Sequence, residues 1–102
     1  MTVVAILTVR AAEAAGFRAY EREAARVMAR HGGRIERTVV APGGGDDATF
    51  REVHVVTFPD AAAFAAYRAD PDPALAALAP RRAAAVIATE LLVGADGPDY
   101  HG

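Results

Sequence analysis

His54 is the side chain best suited to chemistry in this sequence, because it stands inside an apolar run. The run covers residues 50–58 and ends at Pro59 and Asp60, where a helix is expected to begin. An imidazole titrates near neutral pH and acts as a general base when a second polar group orients its ring. His54 is therefore our candidate catalytic base, and a structural or partly exposed histidine is the alternative.

The partner of His54 depends on the register of the hairpin that precedes it. If this hairpin centres near Gly45, Glu36 lies opposite His54 on the same face of the sheet and orients the ring. We therefore predict Glu36 as the second catalytic residue. A slip of one residue brings Arg37 to that face instead, because successive side chains of a strand point to opposite faces.

Three further side chains are candidates for substrate binding. Tyr20 and Tyr67 fall on the expected inner faces of two helices, so their hydroxyl groups can reach a ligand between sheet and helices. Arg37 can bind an anionic group of a substrate. The alternative for both tyrosines is ordinary packing in the core.

Missing residue types exclude many other mechanisms. The chain has no Ser, Lys, Asn, Gln, Cys or Trp, and all 11 basic residues are arginine. This removes a Ser-His-Asp triad, a lysine Schiff base, a P-loop lysine and a cysteine nucleophile. The three histidines share no metal-binding spacing, so we expect neither a metal site nor a bound cofactor.

Length and charge limit the partners. With 102 residues the chain has room for one domain, which we expect over residues 1–93, followed by an extended or mobile tail over residues 94–102. The formal net charge of −2 offers no basic excess for nucleic acid. No run reaches the roughly 18 apolar residues of a membrane span, and no secretory signal is recognisable. We expect a cytoplasmic protein without a membrane partner.

Hydrophobic periodicity and turn residues predict the elements that position these side chains. Gly32 and Gly33 are expected to end the first helix, one of them in the left-handed conformation. The order β-α-β-β-α-β is that of the ferredoxin-like α+β fold, with a four-stranded antiparallel sheet whose first and third strands are central. The strands are expected over residues 2–10, 34–41, 50–58 and 84–93, the helices over residues 13–30, 61–69 and, briefly, 74–79, and a hairpin loop over residues 42–47.

Apolar residues on both faces of the expected sheet predict a homodimer. Two helices cover only one face, yet pairs such as Val3 with Val4 and Val55 with Val56 supply apolar groups to both. Leaving several of them in water would cost a few kcal/mol at about 25 cal/mol per Å². A second copy packed sheet to sheet removes this cost and buries on the order of 1,500 Å² in total.

Several motifs resemble those of the dimeric α/β-barrel superfamily. They are Tyr20, His31-Gly32-Gly33, Phe58-Pro59-Asp60, Phe64, Tyr67, Asp70-Pro71 and the following Arg81 or Arg82. The sequence is similar to a bacterial family of unknown function in that superfamily, related to the antibiotic-biosynthesis monooxygenases, over about residues 2–93. The resemblance implies a dimeric α/β barrel with a pocket between sheet and helices. The Asn and Trp on which several oxygenases and haem-degrading relatives rely are absent here.

Two classes of function remain open. The first is a cofactor-independent enzyme that abstracts a proton from a small apolar or aromatic metabolite, leading to isomerisation, cyclisation or oxygenation. The second is a non-catalytic dimeric module that binds a ligand or assembles. An open cavity lined by His54 and at least two other polar groups favours the enzyme, whereas a closed core favours the module.

Overall fold

Four antiparallel strands form one sheet in the computed structural model, which describes residues 1–43 and 47–101. The sheet order β2-β3-β1-β4 confirms that the first and third strands are central. With the helices given below, the ferredoxin-like α+β class is confirmed. The centre of the predicted hairpin loop, near Gly45, lies outside the described residues. The strands span Thr2–Arg10 (β1), Arg34–Pro42 (β2), Thr49–Thr57 (β3) and Val86–Gly94 (β4).

The first helix packs on the sheet through one apolar stripe and ends where the glycines predict. A 3₁₀ turn, Ala11–Glu13, leads into α1, Ala14–Arg30. Gly32 has a φ of 73°, and its N–H donates to Ala29 O at 3.1 Å while Gly33 N donates to Met28 O at 2.8 Å. This pair of hydrogen bonds is a Schellman motif, which only a left-handed residue allows without strain.

The second helical segment is longer than the sequence predicts. Helix α2, Ala61–Arg68, begins at Asp60, whose Oδ1 accepts from Ala63 N at 2.8 Å. Helix α3, Pro73–Ala85, continues through Pro80 instead of ending at residue 79, so β4 begins at Val86 and not at residue 84. A proline inside a helix loses one backbone hydrogen bond. The many alanines of this segment favour the helix, and α3 packs closely on α1, which offsets that loss.

The core under the helices is divided into two clusters. Val3, Met28, Val56 and Phe58 form one cluster. The second cluster consists of Leu7, Val9, Phe17 and Ala85. On β1 the small residue Ala5 separates the two, and its neighbours across the sheet are His54 on β3 and Leu91 on β4. Because Ala5 leaves space that larger side chains would fill, a gap opens beside His54.

In the part of the chain that the structure describes, no helix covers the opposite face of the sheet, which carries an apolar patch. Val4, Val55 and Leu92 lie side by side across β1, β3 and β4, and Val39 on β2 extends the patch. The exposed fraction is 56% for Leu92 and 41% for Val39. This outer face is the surface on which the homodimer prediction depends, and that prediction stays open here.

Candidate functional site

A cleft of about 580 Å³ opens between the inner face of the sheet and the helices. Its apolar lining comes from all three helices and from β1, β3 and β4, and the alanines of α3 leave its outer wall thin. The polar lining is drawn from three helices, two strands and the link between α2 and α3. It comprises Tyr20, Glu21, His54, Tyr67, Arg68, Asp70, Asp72, Arg82 and Thr89.

Glu52 and His54 form a buried pair on the cleft side of β3. They are two residues apart on one strand, so their side chains share a face. The exposed fraction is 5% for Glu52 and 4% for His54. His54 Nε2 lies 2.7 Å from Glu52 Oε2, and Arg18 Nη2 donates to Glu52 Oε1 at 3.5 Å. We call this pair the Glu52–His54 dyad.

The dyad determines which ring nitrogen of His54 faces the cleft with a lone pair. A carboxylate only accepts hydrogen bonds, so Nε2 of the neutral ring carries the hydrogen and donates it to Glu52. Nδ1 then keeps its lone pair. The nearest charged group on that side is Glu21, whose Oε2 lies 3.7 Å from Nδ1, beyond hydrogen-bond range.

Glu21 contributes a second carboxyl group to the same part of the cleft. Burial raises the pKa of Glu21, and the charge of Glu52 adds to this rise, while His54 and Arg82 oppose it. A carboxyl with a raised pKa exchanges protons closer to neutral pH than an exposed one. Glu21 and the dyad thus bring two kinds of acid-base group to the cleft.

The two tyrosines face the cleft with their hydroxyl groups protonated. Burial raises the pKa of Tyr67 to about 12, with smaller contributions from Tyr20 and Glu21. Burial also raises the pKa of Tyr20, against the effect of Arg82. Tyr67 is fixed by its ring contact with Phe58, at 5.5 Å between centroids. Both phenols can therefore donate a hydrogen bond to a ligand at neutral pH.

The structure separates the residues that the sequence analysis grouped together. His54, Tyr20 and Tyr67 line the cleft, whereas Glu36 and Arg37 do not. The predicted register is wrong, because the regular pairs next to the hairpin, from Pro42 with Phe50 to Arg37 with Val55, place Thr38 opposite His54. The irregularity of β2 lies farther from the hairpin, between Ile35 and Arg37, and leaves Glu36 outside the backbone pairing with β3.

Glu36 and Arg37 have other surroundings. Glu36 Oε1 accepts from Arg34 Nη2 at 2.7 Å and from Thr57 Oγ1 at 2.9 Å, and both bonds lower its pKa. Arg37 pairs with Val55, which lies on the outer face of the sheet. Neither side chain is in position to touch a ligand in the cleft.

Glu52, Glu21 and Arg82 were missed as site residues, although two of them left a signal in the sequence. Glu52 is two residues before His54 on a strand, so the period of two already places both on one face. Glu21 interrupts the apolar stripe of α1, four residues after Phe17 and three before Ala24. A carboxylate in such a stripe is buried against the sheet and marks a candidate site.

An ion-pair network holds the link between α2 and α3 at the edge of the cleft. Asp72 caps α3 by accepting from Leu75 N at 3.0 Å, and Arg26 Nη2 and Arg30 Nη2 each donate to it at 2.9 Å. The cap and the two guanidinium groups hold the pKa of Asp72 well below its usual range. Asp70 Oδ2 lies 2.7 Å from His31 Nε2. Their charges are thus satisfied inside the protein.

Within residues 1–43 and 47–101, no group of three or more His, Cys, Asp or Glu side chains is arranged to bind a metal ion. In the same part of the chain, no helix combines the length and the apolar character needed to cross a bilayer.

Comparison with known proteins assigns the family. A family model described as a domain of unknown function, DUF1330, matches residues 2–95. The chain belongs to the DUF1330 family. This confirms the resemblance to a bacterial family of unknown function. Among curated proteins, no sequence matches the chain.

Solved structures with the same fold include oxygenases and proteins without a known function. SnoaB, a cofactor-independent oxygenase from Streptomyces nogalater, is 23% identical over 94% of this chain and 93% of its own, with a TM-score of 0.56. The RPA0582 protein of unknown function from Rhodopseudomonas palustris is 23% identical over 94% and 84%, with a TM-score of 0.64. An antibiotic biosynthesis monooxygenase is 17% identical over 95% and 98%, with a TM-score of 0.62. At these identities the likeness concerns the fold.

Proposed function

We propose that this DUF1330 protein binds a small apolar or aromatic metabolite in its cleft and abstracts a proton from it without a cofactor. The observation that carries the proposal is the Glu52–His54 dyad, with its distance of 2.7 Å at the wall of an open cleft. An oriented imidazole with one free lone pair is the arrangement that general-base catalysis requires. SnoaB is a precedent for cofactor-independent chemistry in this fold, but the proposal rests on the dyad.

The reaction begins with transfer of a proton from an acidified carbon of the substrate to His54 Nδ1. The electron pair of the broken C–H bond passes into an adjacent carbonyl group and leaves an enolate oxygen. Tyr20 and Tyr67 can donate hydrogen bonds to this oxygen because both phenols stay protonated at neutral pH. Return of the proton to a different atom of the substrate completes an isomerisation.

The geometry supports the enzyme more than the non-catalytic module. The module requires a pocket filled by Phe17, Phe58, Phe64 and Met28. Phe17 instead packs edge-to-face with Phe50 in the second cluster, at 6.4 Å between centroids. The cleft stays open, and Glu21 and the two tyrosines accompany His54 at its wall. This convergence of polar groups is typical of a site that acts on a ligand.

The proposal includes a homodimer that packs through the outer face of the sheet. The apolar patch of Val4, Val39, Val55 and Leu92 supports it, because its exposure is unfavourable for a monomer. The cytoplasmic location expected from the sequence is part of the same proposal.

The proposed function is tested by proton exchange, which requires no knowledge of the natural product. Aromatic ketones with an acidified α carbon, beginning with β-tetralone, are incubated with the protein in D₂O, and deuterium uptake is followed by proton NMR. We expect the wild-type protein to accelerate uptake above the buffer rate. His54→Gln should lose about a hundredfold or more of this acceleration, the usual share of a general base.

His101→Gln is the matched control, since His101 lies in the tail away from the cleft and should exchange at the wild-type rate. Absence of any acceleration by the wild-type protein contradicts the proposal. Undiminished exchange by His54→Gln contradicts the role of the dyad.

A further inference from the structure

Arg82 is a cation in the lining of the cleft. It lies in the last turn of α3 and is partly buried. In the described part of the chain, Arg82 forms no salt bridge, although four other arginines do. Its guanidinium lies over the ring of Tyr20, at 5.8 Å from the centroid. Within residues 1–43 and 47–101, no protein acceptor takes a hydrogen bond from Arg82, so its N–H donors can bind a ligand.

In the described residues, the carboxyl groups in the lining of the cleft form no salt bridge with Arg82. Asp70 and Asp72, at the edge of the cleft, are engaged by His31, Arg26 and Arg30. Glu21 is the remaining carboxyl of the lining, and in the described part of the chain it forms neither a hydrogen bond nor a salt bridge with Arg82. Within residues 1–43 and 47–101, no carboxylate therefore engages the donors of Arg82.

Arg82 also lies close to the groups assigned to the chemistry. Its positive charge opposes the rise in pKa that burial causes in Glu21, Tyr20 and Tyr67. A ligand group held by Arg82 is therefore near the tyrosines and Glu21, while the rest of the ligand contacts the apolar lining.

We propose that the ligand of this cleft is a small aromatic or apolar carboxylic acid whose carboxylate binds Arg82. This deepens the proposed function and rests on the same cleft. A carboxylate matches the planar fork of a guanidinium with two parallel hydrogen bonds, and its single charge equals that of one arginine. In this partly buried site the ligand carboxylate would take the place of water on the Arg82 guanidinium.

The test compares two probes of the same shape that differ in charge. Binding of β-naphthoate and of the neutral β-naphthamide is measured by calorimetry at one fixed salt concentration. We expect the wild-type protein to bind β-naphthoate about tenfold or more tightly than the amide. Arg82→Gln should remove this preference. Arg82→Lys should keep part of it, because an ammonium retains the charge but not the fork.

Arg81→Gln is the matched control, because Arg81 is the exposed neighbour that packs against Gly16 of α1 and does not line the cleft. It should keep the full preference. Equal affinity of the wild-type protein for both probes, binding of neither probe, or an unchanged preference in Arg82→Gln would each overturn the proposal.

The exchange assay separates this inference from the proposed function. Preference for β-naphthoate without catalysed exchange of the ketones supports the carboxylate site and contradicts the enzyme. Catalysed exchange without the preference contradicts the carboxylate site and leaves the enzyme standing.

Discussion

Replacement of Glu52 by Gln tests whether the Glu52–His54 dyad performs the proposed chemistry. The change keeps the size and shape of a side chain whose carboxylate lies 2.7 Å from His54 Nε2. It removes the negative charge that orients the ring and stabilises the imidazolium formed when the substrate gives up its proton.

The expected loss follows from the strength of this hydrogen bond. A hydrogen bond with a charged partner contributes about 1.5–3 kcal/mol, against about 0.5–1.5 kcal/mol for a neutral one. The difference of about 1–1.5 kcal/mol corresponds to roughly a tenfold loss of rate. The new amide can also donate to Nε2, which moves the ring hydrogen to Nδ1 and removes the lone pair facing the cleft. We therefore expect a loss of at least about tenfold.

The assay is deuterium uptake by β-tetralone, with Glu36→Gln as the matched control. Glu36 was the partner predicted for His54 from the sequence, but it contacts Arg34 and Thr57 at the surface. Its replacement should leave the exchange rate near that of the wild-type protein. The reasoning is refuted if Glu52→Gln exchanges at the wild-type rate while circular dichroism shows it folded, or if Glu36→Gln loses as much as Glu52→Gln.

Four further predictions concern the cleft, the dimer and the dependence of stability on pH. Ala5→Leu should fill the gap beside His54 and suppress ketone exchange while the protein stays folded, at a packing cost of about 1–3 kcal/mol; unchanged exchange would show that the gap is not the site. Leu92→Asp should convert a dimer to a monomer, as measured by light scattering. Ala66→Asp, on the exposed side of α2, is the control and should stay a dimer. A monomeric wild-type protein would contradict the dimer proposal. Glu21→Gln should stabilise the protein at neutral pH, because burial raises the pKa of Glu21 in the folded state. The wild-type native state then loses stability as pH rises from the ordinary pKa of 4.5 through the raised pKa. The gain in stability, measured in urea melts, should vanish below pH 4.5, and a gain independent of pH would contradict this cause. Asp72→Asn should lower the melting temperature at neutral pH, because the folded-state pKa of Asp72 is depressed. The difference in melting temperature between wild type and variant should shrink as pH falls below the ordinary pKa of 3.8. A difference that stays constant with pH would mean that the charge is not responsible.

The architecture was predictable because its signals are local. Alternation of apolar residues along β3 and the stripe of α1 give their elements a single buried face, and Gly32 supplies the left-handed residue that ends α1. The order of these elements leaves few topologies, since crossovers are right-handed and connections are short. Helix α3 was predicted to end at residue 79, whereas its alanines and its packing on α1 continue it through Pro80.

The site was only partly predictable because its geometry depends on pairing between distant segments. His54 and the tyrosines were identified from local patterns. The partner of His54 required the register of β2, and the pairs next to the hairpin put Thr38 in the place expected for Glu36. Arg82 required the end of α3, which the shortened helix left outside the element.

Glu21 connects the stability of this fold with the chemistry proposed for it. A leucine at that position would extend the apolar stripe of α1 and join the two clusters of the core. The free energy gained by burying it would be a sizeable share of the roughly 5–15 kcal/mol that keeps a small domain folded. A buried carboxyl with a raised pKa instead weakens the native state at neutral pH. Together with the small side chain of Ala5, it keeps the core divided and the cleft open beside His54. Such a local departure from good packing is expected where a protein binds or transforms a ligand, and restoring the packing at position 21 should therefore gain stability and lose exchange together.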